Sequence, residues 1–251
     1  MKRTLVLGTE IDRISFAGAI ELSLELMNER RGAYVVTPNT EIVLSARKNA
    51  PLRRAIRCAA LSLPDGAGIQ IACRILGAPI TERIPGIDFA AALLSRMAEE
   101  KKSVFLLGAR EGVAVRAAAA LRAEHPGLVI AGAENGYFDC RDEDALLGRI
   151  NAASPDLLLV CLGSPKQELW MHRNASRLQV GLMAGLGGAL DVFSGDVSRA
   201  PQRWRESGLE WLYRLWREPK RIKRDARLPL IVLAAAWNRI KGERETWQKE
   251  S

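Results

Sequence analysis

The chain has little of what several protein classes require. Only two histidines, His125 and His172, occur in 251 residues, and neither stands at ligand spacing from a cysteine. Cys58, Cys73, Cys140 and Cys161 are far apart and form no CxxC pair. That spacing argues against a zinc module and a disulfide framework, and points to free, mostly buried thiols in a reducing compartment. No GxGxxG follows the first apolar run with an acid about twenty residues on, so the ordinary signal of a dinucleotide oxidoreductase is missing. Gly185-Leu186-Gly187-Gly188 has the wrong spacing and comes late. No DxD lies beside a strand end; the acidic stretch Asp139-Cys140-Arg141-Asp142-Glu143-Asp144 reads as a helix start with an acidic first turn. Long hydrophobic runs are also scarce. Leu228 to Trp237 is about half of the ~20 residues that cross a bilayer. The opening MKRTLVLG is too short an apolar run for a signal peptide and reads as a first strand. The expectation is a soluble protein that can lie on a membrane without crossing it.

What is present is unevenly distributed. The formal net charge is +8, and residues 199–251 hold 14 Lys/Arg against 7 Asp/Glu, so the body is nearly neutral and the tail carries the charge. Trp204, Trp211, Trp216, Trp237 and Trp247 lie in that tail, leaving only Trp170 in the body. A basic coat over the whole surface would suggest nucleic acid. A basic, tryptophan-rich end suggests docking on an anionic membrane surface, with no nucleic-acid partner. Arg214, Arg217, Arg221 and Arg224 are three, four and three apart, so one helix would align them in a stripe beside Trp211, Leu212, Leu215 and Trp216. Pro219 would bend or restart that helix.

The body alternates apolar runs with helical stretches. Residues 33–38, 103–108, 128–131, 156–163 and 180–185 read as strands covered on both faces. Between them, 16–29, 39–48, 87–101, 111–124, 142–152 and 166–176 read as helices. This alternation predicts an α/β fold with a Rossmann-like, layered, mainly parallel sheet, spanning 1–195, followed by a helical C-terminal appendage at 196–251. Ligands of such sheets bind at the carboxyl ends of the strands. The loops expected there, at 37–40, 108–112, 163–168 and 185–188, are rich in Gly, Pro and small polar residues. Together they suit a nucleotide or sugar-phosphate, since helix N-termini favour anions and glycine admits close backbone approach.

TPNTEIV at 37–43, PDGAG at 64–68, RIPGIDF at 83–89, GSPKQELW at 163–170 and the long block at 185–221 resemble, in order, the WecG/TagA/CpsF glycosyltransferases, glycosyltransferase family 26. In look the chain is nearest the TagA branch of N-acetylmannosaminyltransferases. The resemblance implies an inverting, metal-independent hexosyltransferase without a cofactor. Its donor would be UDP-N-acetylmannosamine, and its acceptor undecaprenyl-diphosphate-linked GlcNAc, joined β-1,4 as in the linkage unit of wall teichoic acid. Another UDP-sugar, such as the uronic acid UDP-ManNAcA, remains an alternative. The enzyme would work in the cytoplasm, peripherally at the inner face of the plasma membrane; whether it forms a homo-oligomer is left open.

The resemblance also assigns residues, each with its own chemistry. Asp65 would be the base that takes the proton from the attacking acceptor hydroxyl, although a Pro-Asp-Gly turn also suits an aspartate that closes its own loop. Arg83 would hold phosphate oxygens and stabilise the leaving UDP, where a surface ion pair is the plainer role. Thr37 and Asn39 would bind the sugar, or else cap a helix ahead of Glu41. Gln167 would point into the same pocket from a helix first turn, with Lys166 a weaker phosphate candidate and Glu168 structural. Beside the resemblance, the residues themselves suggest Gly108, Tyr137 and Asp191 for the nucleotide, Tyr137 stacking on uracil and Asp191 accepting from ribose or base, where a buried aromatic and a helix cap or salt bridge are the plainer roles. Arg214, Arg221 and Arg224 would reach the lipid diphosphate.

Overall fold

The computed structural model describes residues 2–77, 80–139, 141–199, 201, 204 and 227–240. Its first element is a hairpin. β1 (Arg3–Val6) and β2 (Thr9–Asp12) pair antiparallel with Val6 opposite Thr9, so Leu7 and Gly8 form a two-residue turn with φ of 51° and 80°. Positive φ at both positions is the geometry that matches strand twist in a tight hairpin. α1 (Phe16–Glu29) follows, started by Ser15, whose hydroxyl oxygen accepts from the Gly18 amide.

The main sheet has six strands: β3 (Ala33–Val36), β4 (Leu61–Ser62), β5 (Ser103–Gly108), β6 (Val129–Glu134), β7 (Leu157–Cys161) and β8 (Leu182–Gly185). They lie in the order β4-β3-β8-β7-β5-β6, and every neighbouring pair is parallel. β7 is buried along its whole length, as an apolar run with both faces covered must be. Inner faces of α1, α5 (Gly86–Glu99) and α6 (Val113–Glu124), with the short α9 (Ala189–Phe193), cover one side of the sheet. Residues of α2 (Thr40–Ala46), α3 (Ala50–Arg57), α7 (Glu143–Ala153) and α8 (Lys166–Asn174) cover the other. The five strands and six helices read from the sequence are all present within a few residues. The opening segment is a strand too, but it pairs in the hairpin outside the main sheet.

A third core forms where the hairpin, α2 and α4 (Ala67–Ile75) meet the last described helix, α10 (Leu228–Ile240). Ile231 and Ala235 of α10 are buried there against Val6, Val43, Ile69 and Ala72. The described part of the C-terminal appendage is thus packed on the body. The hairpin is fastened to the sheet edge by a polar clasp: Asp12 accepts from the Ser62 amide at 2.7 Å and from Arg3 Nε at 2.9 Å. Of the cysteines described, Cys73 and Cys161 are buried free thiols, whereas Cys58 is exposed, against the expectation of general burial.

Candidate functional site

Because all six strands are parallel, their carboxyl ends share one edge, and each delivers a loop to it. Thr37 and Asn39 follow β3, Asp65 follows β4, Gly108 closes β5, Tyr137 follows β6, Gln167 follows β7 and Asp191 follows β8. Seven residues chosen for chemistry thus fall on the edge where parallel sheets bind ligands.

Backbone bonds stitch the loops of one half into a unit. The Asp65 amide donates to Pro38 O at 3.1 Å, and the Ile84 amide donates to Pro64 O at 2.9 Å. The first bond holds the Asp65 turn against the Thr37–Asn39 turn; the second lays the Arg83 loop along the Asp65 turn. Gly66, at φ 89°, makes the sharp exit from Asp65 into α4. Gly86 sits where a Cβ would come 2.9 Å from Leu186 and 3.4 Å from Thr37 Oγ1, so the RIPG loop lies flush on the β3 and β8 loops. Thr37 Oγ1 donates to Gly185 O at 3.3 Å and is largely buried. Asn39 Oδ1 accepts from the Ile42 amide at 3.1 Å, capping α2. The capping role is therefore real for Asn39. A ligand role would fall to its amide nitrogen, which is a donor.

The other half is built on glycine. A Cβ at Gly108 would lie 2.3 Å from Cys161 O, and one at Gly136 would lie 3.2 Å from Gly108 Cα. The Ala109 amide donates to Cys161 O, and the Gly136 amide to Ala109 O. Backbone, not side chains, thus lines the ends of β5 and β6. Tyr137 is 77% exposed beside a hollow of about 210 Å³ lined also by Glu134, Asn135, Phe138, Asp142 and Arg149. That exposure rules out a core aromatic and leaves its ring face available for stacking. Burial pushes the Cys161 thiol up to about 12, and the charge of Asp191 adds to the shift. Lys166 Nζ donates to Gly136 O at 3.0 Å and lies over the Phe138 ring, so it ties α8 to the β6 loop.

Between the halves lie the central strands β8 and β7, and here Gln167 is found, 2% exposed in the first turn of α8. A Cβ at Gly185 would be 3.2 Å from Gln167 Nε2, and one at Gly187 would be 3.4 Å from its Oε1. The strand order therefore sets Asp65 and Arg83 at one end, Gln167 in the middle, and Gly108 and Tyr137 at the other. Glu143 and Asp144 occupy the first turn of α7, as the acidic stretch predicted, and among the described residues no group of three His, Cys, Asp or Glu is placed to hold a metal ion.

α10 begins at the rim. Arg227 pairs with Glu41 of α2 at 3.2 Å, and Ile231 lies against Gly68 of α4, three residues beyond Asp65. Arg199 forms an ion pair with Asp88 in the first turn of α5, just past the Arg83 loop. Arg214, Arg221 and Arg224, with Trp211, Trp216 and Pro219, lie outside the described residues. Gly86, Gly136 and the contact of α10 with Gly68 are revealed by the fold. The glycine of RIPG was the one available signal among them.

A six-stranded parallel sheet whose post-strand loops gather along one edge, with helices on both faces, defines a Rossmann-like layered domain. Residues 4–245 match the model of the Glycosyl transferase WecG/TagA/CpsF family, and the chain belongs to that family. It is a glycosyltransferase. Two similar proteins are each named N-acetylglucosaminyldiphosphoundecaprenol N-acetyl-beta-D-mannosaminyltransferase. One, from Bacillus spizizenii, is 35% identical over 220 residues, covering 88% of this chain and 84% of that protein. The other, from Bacillus subtilis strain 168, is 34% identical over 212 residues, covering 84% and 82%.

Proposed function

We propose that the chain transfers N-acetylmannosamine from UDP to a polyprenyl-diphosphate-linked GlcNAc, inverting the anomeric centre. The observation that carries this reading is the Ile84–Pro64 hydrogen bond, which holds the loops of Asp65 and Arg83 side by side in a relative of named mannosaminyltransferases. Asp65 takes the proton of the acceptor hydroxyl as its oxygen attacks the anomeric carbon and the bond to UDP breaks. Arg83 offers its planar fork to the diphosphate as negative charge builds on the leaving group. Uridine lies over the Gly108 and Gly136 turns with Tyr137 on its ring. The sugar spans the Gln167 region, with Thr37 and Asn39 beside it. Arg214, Arg221 and Arg224 engage the acceptor diphosphate from the tail. With an arginine in place of a metal, turnover should persist in EDTA.

The docking surface we assign to the membrane is the outer face of α10. Leu230, Leu233, Trp237 and Ile240 are exposed at spacings of three, four and three, one stripe on a helix whose opposite side packs on the body. Arg227 and Arg239, at the two ends of the helix, tie it to the body through Glu41 and Ile75 O, which leaves the apolar stripe facing outward. Among the described residues no helix is long and apolar enough to cross a bilayer.

The deciding experiment is turnover of UDP-N-acetylmannosamine with a lipid-diphosphate-GlcNAc acceptor, wild type against Asp65→Ala. General-base loss should lower kcat by about 10²–10⁴-fold. Normal turnover by the variant would remove the assignment of Asp65, and turnover only with another UDP-sugar would replace the donor.

A further inference from the structure

The first turn of α8 holds an unfinished polar pair. Gln167 Nε2 donates to Glu168 Oε1 at 2.9 Å, and both side chains are buried, Glu168 completely. Their other oxygens, Gln167 Oε1 and Glu168 Oε2, have no hydrogen-bond partner among the described residues. Nor does any described Lys or Arg pair with Glu168; the adjacent Lys166 sends its ammonium to Gly136 O instead. A carboxyl held fully buried without a cation is costly to the fold, so its retention calls for a job.

The surroundings of the unpaired Gln167 oxygen indicate the job. A Cβ at Gly187 would meet that oxygen at 3.4 Å and Gly163 Cα at 3.6 Å, so the oxygen faces the Gly187 and Gly163 turns. The oxygen is buried and unpartnered against the glycine turns after β7 and β8, midway along the edge between the Asp65 loop and the Gly108 loop. The two ends of a glutamine amide have the same shape and opposite polarity, one a donor and one an acceptor. By accepting from Nε2, Glu168 turns Oε1 toward the glycines.

We propose that Glu168 is a positioning residue: it fixes the Gln167 amide so that its oxygen accepts a hydrogen bond from a hydroxyl or amide N–H of the donor sugar. This rests on the reading of Gln167 as a sugar contact. Neighbouring carbons of a hexose carry hydroxyls, and an acetamido group adds an N–H, so donors to such an oxygen are plentiful on the substrate class proposed above. A diphosphate offers only acceptors and would be repelled from it.

Steady-state kinetics of the full chain with UDP-N-acetylmannosamine and the lipid-linked acceptor tests this. Gln167→Ala and Glu168→Ala should each raise the donor KM by about tenfold, the value of one hydrogen bond, and leave the acceptor KM unchanged. The double variant should be no worse than Gln167→Ala alone, since both changes remove one contact. Glu168→Gln should restore a donor KM within about twofold of wild type, because its amide oxygen accepts the same bond. If Glu168→Ala does not fold, Glu168→Leu keeps the volume without the acceptor and carries the same expectation. A raised donor KM for Gln167→Ala beside a normal one for both Glu168→Ala and Glu168→Leu would overturn the positioning role alone, as would additive effects or a Glu168→Gln as impaired as the alanine. A normal donor KM for Gln167→Ala would overturn the sugar contact and the positioning role with it.

Discussion

Glu168 and Asp12 share an environment that few carboxyls tolerate. Burial raises both above the usual carboxylate range, but Asp12 is compensated by the Ser62 amide and the Arg3 guanidinium, and Glu168 mainly by the Gln167 amide. The consequence for stability has a definite sign. An acid with a raised folded-state value holds its proton more tightly folded than unfolded. Stability therefore falls as pH rises from the ordinary glutamate value, about 4.3, through the folded one, and the full cost of Glu168 is present above that window. Glu168→Gln cannot ionise, so its melting temperature should exceed that of wild type at pH 8 and match it near pH 4. Each kcal/mol recovered in a chain of this size is worth about 2–4 °C. An equal offset at both pH values, read by calorimetry, would refute ionisation as the cause. At this scale the sequence showed residue types but not burial. Lys-Gln-Glu is as polar as any surface turn, and only the fold reveals that its last two members are inside.

Among the elements, those with a full pattern were legible and the short ones were not. LLLVC and SVFLLG are continuous apolar runs, and both are strands within one or two residues of expectation. β4 has two residues and offers no period to detect. α4 starts from Gly66 with no side-chain cap, so its beginning carried no signal. The β1–β2 hairpin was hidden because Leu7 occupies a left-handed turn position where Asn or Gly would announce it; burial of the Leu7 side chain holds it there. α10 has two apolar faces with different fates, and they can be separated. Ile231→Ala should cost about 2–5 kcal/mol in denaturant unfolding, as a large-to-small change in a core does. Serine at Leu230, Leu233 and Ile240 together should leave unfolding nearly unchanged and abolish co-flotation with anionic vesicles. Retained flotation by that triple variant would refute the stripe as the membrane contact.

Strand order belongs to the whole molecule, and nothing in a single chain's residues announces β4-β3-β8-β7-β5-β6. What could be read was that post-strand turns carry Thr, Asn, Asp, Gln and Gly where ligands bind. What could not was that Gln167 lies between the Asp65 half and the Tyr137 half. Across the boundary proposed at 195/196, α10 from the appendage shares the third core with the hairpin and α4. A chain ending at residue 195 would uncover Val6, Val43, Ile69 and Ala72. It should remain folded with a lowered melting temperature and be nearly inactive on a lipid-linked acceptor. Full activity on that acceptor would refute a role for the appendage in turnover.

The seat of α10 beside Gly68 and Glu41 would also set an altitude if the exposed stripe docks on lipid as proposed. We propose that, with its stripe on lipid and its inner face on α4, the helix would space the Asp65 turn above the headgroups by about its own thickness, roughly 10–12 Å with side chains. A sugar attached directly to a membrane-borne diphosphate reaches that level. Once a second sugar is added, the new terminal hydroxyl would stand one ring farther from the bilayer, beyond Asp65. On that proposal the enzyme would count to one by height, and excess donor should give a single added residue per lipid; a ladder of longer products on a gel would refute this geometry.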